Sequence, residues 1–175
     1  MDERAQNLVE ECKRQQESCL YTSTALFEWM KFLRVLKILF VVVPIVFGAL
    51  ATMPLLTGSA DYKWLPATCA LLAAIVPAVY KALDFDVSLD VVKANAHQFK
   101  VLQDRFRQAW RVTALSDFEP FKSEFDALME RMDAARSLSL AVPERFFMKA
   151  KAKIEKGHYD FLVDAATPGS EGARP

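Results

Sequence analysis

Residues 38–56 read ILFVVVPIVFGALATMPLL, nineteen positions without a charge. At ~1.5 Å per residue a helix of this length reaches roughly 28 Å, close to the ~30 Å hydrocarbon core of a bilayer. A second uncharged run, WLPATCALLAAIVPAVY, occupies residues 64–80. Between them lies TGSADYK, residues 57–63, a connection short enough to predict a tight hairpin of antiparallel helices. The other reading of such runs is a pair of buried helices in a soluble core. Two uncharged stretches of this length exceed what the remaining amphipathic helices of a 175-residue chain can cover. The first 30 residues are polar and charged, so no signal peptide is expected.

Basic residues set the orientation. Lys31, Arg34 and Lys37 precede the first run, Lys81 and Lys93 follow the second, and Lys63 alone stands in the connection. The positive-inside rule therefore places both ends in the cytoplasm. Lys37, Tyr62, Trp64, Tyr80 and Lys81 are the expected interface anchors, because amphipathic rings and snorkelling lysines gather at headgroup level. Pro44 and Pro54 fall in the first run and Pro66 and Pro77 in the second. Each removes a backbone donor and permits a bend, although membrane helices also simply tolerate proline. Gly48 with Thr52, and Ala70 with Ala74 and Ala78, form small-residue faces that pack either within the hairpin or between subunits. Pro44, Phe47, Gly48, Thr52, Thr68 and Pro77 are the positions expected to line or gate a conduit. Neither run holds an ionisable residue, which argues against a proton relay or a charged transport site.

The rest of the chain reads as cytosolic helices. Residues 1–34 form an N-terminal helix in which Leu8, Cys12, Cys19, Leu26 and Trp29 fall broadly on one side. Residues 35–82 are the membrane hairpin, 83–165 a helical region, and 166–175 a tail with nothing to bury and so expected to be disordered. Leu89, Val92, Ala96, Phe99, Leu102, Phe106 and Trp110 recur at steps of three and four. This apolar stripe predicts a helix that joins a bundle, and its heptad-like spacing also suits self-association. Ser116 with Glu119 resembles a capping box ahead of a helix through Phe118, Phe121, Phe125, Leu128 and Met132. Pro143 suits the first turn of a further helix through Phe146, Phe147, Ala150 and Ile154, and Gly157 its stop. HYDFLVDA, residues 158–165, reads as a short extended piece. The fold class is all-α: a two-helix transmembrane hairpin with a cytosolic helical bundle, homo-oligomeric.

Charge and chemistry exclude more than they assign. The net charge is zero, which gives no reason to expect nucleic acid. The three cysteines have no metal spacing, and Cys12 and Cys19 suit a reducing cytosol. There is no P-loop, H-E-x-x-H, G-x-S-x-G or dinucleotide fingerprint. No enzyme, metal or cofactor is expected. His97 reads as a packed or surface helix residue, and Asp84, Asp86 and Asp90 as solvated acids at a helix start rather than a cation site. Arg145, Lys149, Lys153 and Lys156 share one helix face, which is an ordinary wet face unless it meets lipid headgroups or a phosphate. Arg105, Arg107 and Arg111 form a second, weaker basic group.

VLKILFVVVPIVFGALA at the first run and IVPAVYKALDFD at the exit of the second are part of a longer pattern. It continues through HQFKVLQDRFRQAW, FDALMERMDAARS and PERFFMKAKAKIEKGHYDFLVDA. From about Trp29 to Ala165 the chain resembles the SLATT family, two-span effector domains of bacterial conflict and anti-phage systems. The resemblance implies a bacterial inner-membrane protein that oligomerises and forms a pore or breaches the membrane. It also implies a trigger from a nucleotide-producing or sensor protein of the same system. The family has no catalytic motif to carry over, and this chain differs from fused members in having no attached sensor. The alternative is a membrane-anchored scaffold that recruits a cytosolic partner.

Overall fold

The computed structural model describes residues 3–57, 64–83 and 85–157. They are all-helical: α1 (Glu3–Thr57), α2 (Trp64–Ala82), α3 (Phe85–Arg111), a 3₁₀ turn (Thr113–Leu115), α4 (Phe118–Leu138) and α5 (Glu144–Glu155), with no strand among them. Tyr62, Asp84, the 158–165 segment expected to be extended and the 166–175 tail lie outside the described residues. The chain forms two compact units, Met1–Glu28 with Asn95–Pro175, and Trp29–Ala94.

The first unit is a helical bundle. Gln16 accepts a hydrogen bond from the Trp110 indole at 2.6 Å, and the rings of Phe27 and His97 meet edge-on at 5.4 Å, so α1 and α3 are antiparallel. Phe106 against Phe125, and Asn95 against Leu138, make α3 and α4 antiparallel in turn. Tyr21 beside Phe147, and Glu28 bound to Lys153, show that α5 runs parallel to α1.

Small residues on α1 make room for large ones elsewhere. Ala5, Cys12, Cys19 and Leu26 are buried at steps of seven, with Ser23, Thr24 and Ala25 beside them. Seven-residue spacing keeps one seam facing its partners, as in a coiled coil. The sequence pattern named Cys12, Cys19 and Leu26 but missed Ala5, because alanine carries little hydropathy signal. Leu8 and Trp29 are only half-buried. Phe106, Phe121 and Phe146 fill the interior from α3, α4 and α5, and the Cys19 thiol lies 3.9 Å from the Met132 sulfur. The α3 stripe enters this core at Ala96, Phe99, Leu102 and Phe106, with Trp110 half-buried, while Val92 is buried and Leu89 half-buried in the other unit. Among the described residues, no fully buried side-chain nitrogen or oxygen lacks a hydrogen-bond partner. The Asn95 amide donates to the carbonyl of Leu138, the last residue of α4, which has no helical donor of its own.

Three local expectations are corrected. Ser116 does not cap α4. It closes the 3₁₀ turn, its hydroxyl bonded to the Thr113 carbonyl, so the helix begins one residue later behind Asp117 with no side-chain cap. Pro143 is the N-cap of α5 rather than part of its first turn. Phe147 is 44% exposed, because Phe146 and Ala150 already fill the inward side of α5. Gly157 follows α5 with φ 73°, the left-handed value that glycine adopts without strain.

Truncating Phe106, which is fully buried, to alanine should lower stability by about 3–5 kcal/mol. Leu115→Ala, at a residue 81% exposed, should stay within about 0.5 kcal/mol. Denaturant melts in mild detergent separate the two, and comparable losses would contradict the core assignment.

Candidate functional site

The second unit holds the two apolar helices. Both are long and apolar enough to cross a membrane, and protein hardly covers them. None of the most apolar 18-residue window of α1 is buried, and only 6% of that in α2. Ile45 is 67% exposed, Val41, Val46 and Leu50 about half, and Leu71 60%. Leu33 and Cys69 are buried within the unit. The rings of Phe40 and Tyr80 meet at 5.5 Å, which brings the start of the first run beside the end of the second.

The polar atoms in these helices are handled locally. Thr52 and Thr68 donate their hydroxyls to the Ala49 and Leu65 carbonyls at 2.8 and 2.9 Å. Both are exposed, and the back-bonding lets a hydroxyl sit on an apolar surface without an unmet donor. The helices continue through Pro44 and Pro77, each of which leaves the carbonyl four residues back without its usual donor. Pro44, Phe47 and Gly48 are half-buried and Pro77 is exposed. The small-residue faces do not pack the hairpin internally. A Cβ at Gly48 would meet nothing within 4 Å, and Ala70, Ala74 and Ala78 are exposed. Among the expected anchors, Trp64 is 64% exposed, Lys37 and Lys81 are exposed, and Tyr80 is half-buried against Phe40.

Two other expected surfaces are changed by the fold. Val92, Phe99, Leu102 and Phe106 of the α3 stripe are all buried, the last three in the bundle, which leaves them nothing to offer a second copy. The basic face of α5 is not a free row either. Lys153 binds Glu28 at 2.7 Å, and that carboxylate side chain is only 12% exposed. Arg145 and Lys149 reach over the Phe146 ring at 4.6 and 5.8 Å, a cation–π arrangement, and Lys156 is exposed. Glu28 escaped the sequence reading because its partner is 125 residues away. The only hint was its position as the last acid before the apolar run. In the weaker basic group, Arg105 bonds the Gln108 side chain and Arg111 lies 5.1 Å from the Trp110 ring. No group of three metal-ligating side chains occurs among the described residues.

Neither Cys12 nor Cys19 has the electropositive, accessible setting of a reactive thiol. Burial pushes Cys12 up to about 12, with the Glu11 and Glu124 carboxylates adding to the effect. Burial pushes Cys19 up to about 11 against an opposing pull from Arg136. No family model, curated protein or solved structure matches the chain.

Both thiols stay protonated in the fold where an unfolded thiol, near 9, ionises. The unfolded state therefore binds fewer protons above that pH, and stability should fall from pH 9 up to about 11 for Cys19 and about 12 for Cys12. Cys12→Ala/Cys19→Ala should flatten that limb of a stability–pH profile, and an unchanged slope would contradict the burial argument.

Proposed function

We propose that this chain is a two-span membrane protein, anchored in a bacterial inner membrane with both ends in the cytoplasm. Several copies assemble, and their hairpins form a pore or breach when a nucleotide-producing or sensor partner supplies the trigger. It catalyses no reaction. The observation that carries this reading is the bare apolar surface of α1 and α2. A core helix of a soluble protein meets the same length criterion but is mostly buried. Helices with Ile45 and Leu50 of α1 and Leu71 of α2 turned outward need hydrocarbon as their solvent.

The remaining features support assembly around a conduit. The apolar runs hold no ionisable residue, which suits a gate that closes by dewetting rather than by charge. Pro44 and Pro77 supply the bending points, and the open space at Gly48 with the exposed Ala70–Ala74–Ala78 face supplies close approach between subunits. The trigger and the bacterial setting come from the resemblance to SLATT effectors.

Ile45→Lys tests the solvent of α1. In lipid the substitution should cost about 2.5–3.5 kcal/mol of insertion. On a wet surface the same exposed position should accept lysine with no loss, so normal yield in the soluble fraction would defeat the reading. Dye leakage from vesicles reconstituted with the full chain and its activator tests the pore. Replacing both spans with an unrelated two-span anchor should abolish leakage, whereas retained activity would favour the scaffold.

A further inference from the structure

With the α3 stripe buried, the bundle keeps two surfaces of opposite charge. On α4, Glu119, Asp126 and Asp133 stand at steps of seven, with Glu130 one turn beyond Asp126 and Lys122 between the first two. All are exposed. On α5, Lys149 and Lys156 also stand seven apart and are exposed. The bundle does not neutralise these ladders. Asp133 shares a 3.7 Å contact with Arg136, but Glu119, Asp126, Glu130, Lys149 and Lys156 form no ion pair among the described residues. Asp126 and Glu130, four apart on one helix, repel each other.

We infer that the acidic face of α4 in one copy docks on the basic face of α5 in the next. The occupant is a second copy of this chain, chosen by charge and spacing. Both α4 and α5 run along α1, so copies related by rotation about the bundle axis bring the two helices together in parallel. The shared seven-residue step then sets two acids against Lys149 and Lys156, as flanking charges do across a coiled-coil seam. The two faces differ, so the contact is head-to-tail, the kind of interface that closes into a ring. This rests on the assembly proposed above and names its surface outside the apolar helices.

The test uses the full chain in mild detergent, with mass measured by light scattering in low salt. One variant carries Glu119→Lys, Asp126→Lys and Asp133→Lys. The other carries Lys149→Glu and Lys156→Glu. Each alone should weaken assembly at least about tenfold, and high salt should weaken that of the unaltered chain. Mixing the variants pairs a basic α4 with an acidic α5, and an acidic α4 with a basic α5. The mixture should therefore regain the unaltered mass, a recovery that damaged folding could not produce. Full assembly of either variant alone, no recovery on mixing, or an unaltered chain that is monomeric would overturn the inference. Vesicle leakage keeps the two proposals apart. A charge variant that stays assembled and leaks defeats the seam and spares the pore. An unaltered chain that assembles through the seam without leakage defeats the pore alone.

Discussion

A long aliphatic helix surface with no protein over it calls for an apolar solvent, and the proposed membrane setting of the unit Trp29–Ala94 rests on that constraint. In such a solvent every backbone group needs a partner along its own helix, a demand that the helices α1 and α2 meet. The same demand accounts for the threonine hydroxyls turned back onto Ala49 and Leu65. It also accounts for the absence of charge from residues 38–56 and 64–80, with Asp61 and Lys63 confined to the connection between them.

The bundle answers the opposite constraint, to exclude water with few residues. It pairs small side chains on α1 with three large rings, so backbones come close and the interior fills without long reach. Cys12 and Cys19 serve there as small apolar groups, and their raised proton affinity follows from the same dryness. Asn95 enters this interior with a bond in hand, to the end of α4.

The sequence made the apolar runs and the α3 stripe legible, because both are signals of period and length. Val92, Phe99, Leu102 and Phe106 could be named as core candidates from spacing alone. Spacing could not decide whether that core belonged to one chain or two, since the same heptad serves either arrangement. The 3₁₀ turn at Thr113–Leu115 displaced the expected cap at Ser116 by competing for its hydroxyl, a contest between neighbours that a motif does not encode. The Glu28–Lys153 pair was invisible because no local pattern links residues so distant in the chain. A basic face on α5 was legible, but its division into engaged and unengaged lysines was not.

Trp110 holds a consequence of its own. Its indole N–H is tied to Gln16, and Lys13 approaches the ring to 5.0 Å, so α1 engages both its edge and its face. The other two tryptophans, Trp29 and Trp64, belong to the apolar unit. The emission colour of Trp110 is thus an intrinsic optical gauge of whether α1 and α3 remain joined, readable without a dye once Trp29 and Trp64 are replaced by phenylalanine.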